Sequence, residues 1–138
     1  MSIIEALRRF CLGFPELKDG ALLVDYLGAK AIEYTVETVP CDPVYRRYTD
    51  GGCLKQFLFL FASREGYSRD VDQCIRNMEF YEHFERWIRA QNRAGNLPDL
   101  GEHCRAVSLD VLTSGYAFSE DANTARYQMQ LRLIYEEI

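Results

Sequence analysis

The sequence is poor in the residues that most often carry out chemistry. Only two histidines, His83 and His103, occur in 138 residues, although histidine is the usual general base and metal ligand near neutral pH. His103 adjoins Cys104, and neighbours in an extended segment point to opposite faces, so these two make a poor catalytic dyad. The five cysteines are odd in number and include no CxxC pair, which argues against a disulfide framework or a zinc site. We therefore expect mostly buried, reduced thiols and no metal or other cofactor.

Motifs that hold phosphate or activate a nucleophile are also missing. Gly51-Gly52 has neither the Lys-Ser/Thr ending of a phosphate-binding loop nor a GxGxxG frame, and is typical of a turn. No HExxH, GxSxG or EF-hand pattern occurs. A carboxylate pair that only the fold assembles stays open as an alternative. The sequence thus favours a protein that acts by packing against other chains over an enzyme, and it offers no catalytic residues.

Charge and hydropathy narrow the choice of partners. The formal net charge is −5, whereas sequence-independent binding of nucleic-acid phosphates needs a basic surface. No apolar run approaches the roughly 20 residues of a membrane span. We expect neither a membrane nor a sequence-specific nucleic acid as partner. Residues 1–14 carry charges within an apolar pattern, which predicts an amphipathic helix and not a signal peptide.

The apolar pattern predicts one domain over residues 1–138, of α+β class and with the order α-β-β-β-α-β-β. An N-terminal helix begins after Ser2 and ends at Gly13 and Pro15. Strands are expected at residues 21–27, where a helix is the competing interpretation, at 31–39 and at 57–61. The last of these, apolar on both faces, suggests a central strand covered on both sides. Pro40 and Pro43 end the second strand and open a loop.

The second half of the chain is predicted to form a long helix and a hairpin. The helix spans residues 69–94, with Ser68 as N-cap and Gly95 as C-cap residue. Its apolar stripe comprises Val71, Cys74, Ile75, Met78, Tyr81, Trp87 and Ile88. Strands at 107–111 and 124–136 follow, joined through a polar turn at 119–123 as an antiparallel hairpin. The expected architecture is a mixed or antiparallel sheet of about four or five strands packed against the long helix and the N-terminal helix.

One face of the last strand is polar throughout. Arg126, Gln128, Gln130 and Arg132 alternate with residues such as Met129 and Leu131, which indicates a wet or partner-facing sheet surface. If this strand is an edge, its backbone could pair with a neighbouring subunit.

Aromatic residues are in surplus. Nine tyrosines and eight phenylalanines exceed the needs of one helix-on-sheet core. The surplus forms either a tyrosine-rich sheet with solvent-facing hydroxyls or part of a protein interface, where Tyr and Arg are enriched. The first interface candidates lie in the loop after Pro43: Tyr45, Arg46, Arg47 and Tyr48. The next candidates flank the last hairpin: Tyr116, Phe118 and Arg126.

Several segments, taken in order, resemble a known family. They are IIEALRRF, VDYLGAKAIEYTVETVP, YTDGGCLKQFLFLFASREGYS, NMEFYEHFERWIRAQNRAGNLPDL and LTSGYAFSEDANTARYQMQLRLIYEE. Over almost the full chain this order resembles the small minor capsid or tail-completion proteins of prophages of Gram-positive bacteria, which look like the tail terminators of long-tailed phages. The resemblance lies in the whole pattern and not in one short motif.

The resemblance implies a structural, non-enzymatic role. Tail terminators form a hexameric ring that caps the tail tube, stops its polymerisation and supplies the head-joining surface. The implied partners are other copies of the chain, the major tail tube protein and a head-neck connector protein. Isolated terminators can be monomeric until they meet the tube. The implied location is the cytoplasm of the bacterial host during assembly and then the tail or neck of the virion. The alternatives are another neck protein, such as a stopper or head-completion subunit, and a small enzyme with a non-obvious pocket.

Overall fold

The computed structural model describes residues 2–17, 22–24, 33–66, 71–120 and 124–137. These ranges hold α1 (Ile3–Cys11), β1 (Leu22–Val24), β2 (Glu33–Val39), β3 (Val44–Arg47), β4 (Cys53–Gly66), α2 (Val71–Ala94), β5 (Cys104–Glu120) and β6 (Thr124–Glu137). The sheet order is β1-β2-β4-β6-β5, with β3 also paired to β4. Only β1 and β2 are parallel among the described pairs. The predicted α+β class, with a mixed sheet against a long helix and an N-terminal helix, is confirmed.

Strand β3 lies where we predicted a loop. It pairs with the first residues of β4, from Lys55 back to Cys53, so β2 and β3 lie along the same edge of β4. The segment from Pro40 to Pro43 separates them, because a proline cannot donate to the ladder and pairing must lapse there. The prolines do interrupt the strand, but β-pairing resumes immediately after them.

Both helices end where the sequence indicated, within the described residues. The Ser2 hydroxyl accepts a hydrogen bond from the Glu5 amide at 3.2 Å and caps α1. Helix α2 runs for 24 residues, which is about 36 Å. Gly95 follows it with a φ of 79°, a left-handed conformation that glycine adopts without a steric penalty. The predicted N-cap, Ser68, lies outside the described residues.

The hydrophobic core fills the space between the helices and one face of the sheet. The predicted alternation in β6 is confirmed, since Tyr127, Met129, Leu131, Leu133 and Tyr135 are all buried there. From α2, Phe84 stacks on Phe61 of β4 with 4.3 Å between ring centroids. Trp87 packs against Phe10 and Phe14 and is mostly buried, as expected.

The apolar stripe predicted for α2 is wrong in its first half. Ile75 is 48% exposed and Met78 37% exposed, while the side chains of Val71 and Cys74 lie outside the described part. The side facing the sheet instead carries Asn77, Tyr81, Phe84 and Ile88, all buried. These four recur at the helical period of 3.6 residues, and Ile75 and Met78 fall on the adjacent side.

Strand β5 is much longer than the predicted 107–111 and is irregular. Its register with β6 shifts at four places, the first between Ala106 and Ser108. Each shift inserts a residue and turns the following side chains to the other face. Val107 is therefore 42% exposed, while Leu109, two residues further along the strand, is buried.

The second face of the sheet carries neither described helix. We call it the open face; on it lie Thr35 and Glu37 of β2, Leu58 and Leu60 of β4, Tyr116 of β5, and Arg126, Gln128, Gln130, Arg132 and Ile134 of β6. Strand β4 is central, as predicted, but Leu58 and Leu60 are only half-buried, so the expected cover on both sides is not found among the described elements. Thr35 is buried although it lies on this face. Strand β6 is not an edge, because its backbone already pairs with β4 and β5.

Candidate protein interface

Three of the seven predicted interface residues lie on the open face of the sheet. Tyr45 of β3 sits beneath the guanidinium of Arg132, whose Cζ is 4.9 Å from the ring centroid. Such a cation–π contact contributes about 0.5–1 kcal/mol at an exposed site. Tyr45 stays 41% exposed, so the outer side of its ring is free to meet a partner.

Arg126 and Tyr116 belong to one hydrogen-bond network across the open face. Arg126 donates from Nη2 to Glu37 Oε1 at 3.0 Å and from Nε to Gln128 Oε1 at 3.1 Å. Gln128 in turn donates from Nε2 to the Tyr116 hydroxyl at 2.7 Å. The network therefore ties β2, β6 and β5 together and holds its side chains in one arrangement. Its Arg126–Glu37 ion pair is largely shielded, since the two side chains are 16% and 23% exposed.

The remaining candidates lie elsewhere or cannot be placed. Arg46, Arg47 and Tyr48 are exposed at the end of the β3–β4 hairpin, where Tyr48 and Gly52 close the turn with an amide-to-carbonyl hydrogen bond of 2.8 Å. The Phe118 side chain lies outside the described part of the structure, although its backbone belongs to β5. The predicted residues thus form two surfaces, the open face and the hairpin end, and not one cluster.

Sequence reasoning missed Arg132, Glu37 and Gln128 of the open face as site residues, although Gln128 was predicted to be polar-facing. Arg132 was predicted to be polar-facing, but its contact with Tyr45 depends on β3, which was not predicted as a strand. Glu37 lies two strands away from Arg126, and β4 separates them in the sheet order. A pattern along one strand carries no signal for such a contact.

Groups with perturbed pKa values lie away from the open face and have structural causes. Burial raises the pKa of the Cys11 thiol to about 12. Burial also raises the pKa of Tyr135, and a 2.6 Å hydrogen bond to Glu137 raises that of Lys55. Cys41 is exposed and Cys53 and Cys104 are partly buried, so the expectation of mostly buried thiols holds for Cys11 but not for these three.

Other polar side chains form contacts that join separate elements of the fold. His83 Nδ1 on α2 lies within hydrogen-bond distance of Glu16 Oε1, at 2.9 Å. A cleft of about 470 Å³ lies between the end of α2 and β5, and in it the Asn92 side chain accepts from the Leu109 amide at 3.0 Å. In the described ranges, no group of three or more His, Cys, Asp or Glu side chains is placed to hold a metal ion.

Comparison with known proteins adds no assignment. No protein-family model and no curated protein matches the chain. Neither helix, over its described residues, has the length and apolar character needed to cross a bilayer.

Proposed function

We propose that this chain is a structural subunit of the phage tail-terminator type. In this role several copies form a ring on the end of the tail tube, stop its polymerisation and provide the surface that joins the head. The proposal rests on the resemblance over almost the whole sequence. The observation in the structure that supports it best is the hydrogen-bond network of Tyr116, Gln128 and Arg126 on the open face.

The open face has the properties of a surface prepared for a protein partner. Tyr and Arg are the residues most enriched in the energetic centres of interfaces. The side chains of Arg126, Gln128 and Tyr116 are already fixed by one another, so binding costs less conformational entropy than it would for free side chains. Half-buried Leu58 and Leu60 supply apolar area beside these polar groups. We assign this face to the tail tube protein, with the head-neck connector as the partner on the opposite side of the ring.

Tube capping is the direct test. Purified tail tube protein is polymerised with and without the chain, and tube lengths and end densities are measured by electron microscopy. We expect shorter tubes with a ring density at one end, and light scattering should show a larger particle when the chain is mixed with tail tube protein. Tubes of unchanged length, with no chain bound, would contradict the proposal.

A variant of the open face makes the test specific. Tyr116→Ala removes an exposed interface side chain without emptying the core, and it should weaken capping by roughly tenfold or more. His103→Ala, in the exposed loop before β5, is the matched control and should cap normally. Gene order separates a terminator from another neck protein, because a terminator gene is expected immediately before the gene of the tail tube protein.

A further inference from the structure

The end of the β3–β4 hairpin is a basic surface without internal partners. Arg46 and Arg47 are exposed, and neither takes part in an ion pair within the described ranges. Tyr48, next to them, is 47% exposed. We call these three residues the hairpin tip. In a chain of net charge −5, two adjacent uncompensated arginines beside an exposed ring favour an acidic, partly apolar partner.

Helix α2 carries a surface of the complementary kind. Ile75, Met78, Glu79 and Glu82 are spaced as i, i+3, i+4 and i+7 and thus share one side of the helix. All four are exposed, and Glu79 and Glu82 make no ion pair with any described residue. We call them the acidic stripe. It offers two apolar side chains next to two carboxylates, while the hairpin tip offers an aromatic ring next to two guanidinium groups.

The two surfaces lie at opposite ends of the sheet. The hairpin tip adjoins Cys53 at the start of β4, whereas Tyr81 of α2 contacts Ser63, ten residues further along the same strand. Ten residues of strand span roughly 33 Å, and the acidic stripe begins more than a turn before Tyr81. The surfaces therefore cannot meet within one chain, but they can meet between two copies.

We propose that the hairpin tip of one copy docks on the acidic stripe of a second copy. Arg46 lies on the same side of the hairpin as Tyr48, so it faces Glu79 and Glu82 while Tyr48 packs on Ile75 and Met78. Arg47 points to the other side and adds positive charge at the rim of the contact. Because the two surfaces differ, the contact is head-to-tail, and repeated contacts of this kind close into a ring when the rotation allows. The inference rests on the oligomeric part of the proposed function and names the surfaces that build the oligomer.

A different contact between copies would pair two α2 helices antiparallel. The later part of the same helix side carries Arg86, Arg89 and Arg93, which could face Glu79 and Glu82 of the other copy. That arrangement places the two-fold axis near residue 86 and brings the two Arg86 side chains together, which is unfavourable. Arg89 also already contacts Glu85 at 3.6 Å. The charges therefore favour the head-to-tail contact.

Charge reversal tests the contact. Self-association of the full chain is measured by sedimentation velocity up to about 1 mM protein, where even a weak contact with Kd near that value is visible. We expect Arg46→Glu with Arg47→Glu to weaken association roughly 10- to 100-fold, and Glu79→Arg with Glu82→Arg to do the same. An equimolar mixture of the two variants should associate again, because each contact between one variant and the other pairs opposite charges. The variant with all four changes should also recover.

The matched control is Arg86→Glu with Arg93→Glu on the same helix, which should associate at least as tightly as the unchanged chain, because a carboxylate at position 86 extends the acidic stripe by one turn. If this control loses association while the hairpin variant keeps it, the antiparallel α2 pair replaces our proposal. Unchanged association of the hairpin variant, or a chain that is monomeric at about 1 mM, overturns it as well. Thermal melts of every variant establish that the fold is intact. Failure of tube capping by the unchanged chain refutes the proposed function alone, since the charge-reversal result does not depend on tail tubes.

Discussion

The approach of α2 to β5 at Gly115 predicts a large effect from adding one methyl group. A Cβ at Gly115 would lie 2.4 Å from both Cβ and Cγ of Tyr81 and 2.6 Å from its Cδ1. Carbon atoms in favourable contact are about 3.5–4.0 Å apart, so Gly115→Ala requires a displacement of about 1 Å. The atoms in the way belong to the root of the Tyr81 side chain, which cannot move without its helix.

Tyr81 is also held at its other end. Its hydroxyl donates to the Tyr127 carbonyl at 3.1 Å and lies 2.6 Å from Ser63 Oγ, and the residue is 1% exposed. A shift of α2 would therefore strain these hydrogen bonds and the aromatic packing beside them. Overpacking of a core typically costs about 1–3 kcal/mol, and we expect Gly115→Ala to reach at least the upper end. In a domain of this size, that lowers Tm by roughly 10 °C.

Urea and thermal unfolding followed by circular dichroism measure this effect. Gly52→Ala, in the hairpin turn, is the matched control, because its Cβ would meet only Asp50 Oδ1 at 3.3 Å and Tyr48 Cδ2 at 3.9 Å. We expect the control to change the free energy of unfolding by less than about 1 kcal/mol. Tyr81→Ala should not rescue Gly115→Ala, since the Tyr81 Cβ, one of the two atoms at 2.4 Å, remains. A Gly115→Ala protein as stable as the unchanged chain would refute the close packing of α2 on β5.

Three further predictions concern stability. The unfolded chain loses the Cys11 proton near pH 9.0 and the folded chain near 12. The free energy of unfolding should therefore fall by roughly 1.4 kcal/mol per pH unit between these values. In urea melts the Cys11→Ala variant should lose this pH dependence, and a variant that keeps the same slope would contradict the prediction. Tyr81→Phe removes the hydroxyl that donates to the Tyr127 carbonyl and should lower the free energy of unfolding by about 1–2 kcal/mol in the same assay. An unchanged free energy of unfolding would show that this hydrogen bond contributes little. Deleting residues 127–138 removes β6 from between two strands and should abolish the cooperative thermal transition; a cooperative melt would be the contrary result.

Elements with a complete buried face could be predicted from the sequence. The two-residue alternation of β6 and the ends of α1 and α2, set by Ser2 and Gly95, follow from local rules about periodicity and backbone caps. These rules act within a few residues and need no knowledge of the rest of the fold. The α+β class followed from the number and order of such elements.

The candidate interface was predictable only in part. Surplus tyrosine and arginine pointed to Tyr45, Tyr116 and Arg126, and the structure places all three on one face; their role in binding stays a prediction. Strand β3 was missed because its residues are mostly exposed and so show no burial pattern. Its pairing with β4 is what brings Tyr45 to Arg132.

The sequence by itself determined both helices and most of the strands, β3 excepted, and which of them carry a strong apolar face. The tertiary structure decided how these faces are oriented and which strands are neighbours. Ile75 and Met78 turned outward because the packing of Tyr81 on the sheet fixes the rotation of α2, and Val107 turned outward because a bulge changes the register of β5. Rotation, register and sheet order depend on contacts between residues far apart in the chain, and local periodicity carries no record of those contacts.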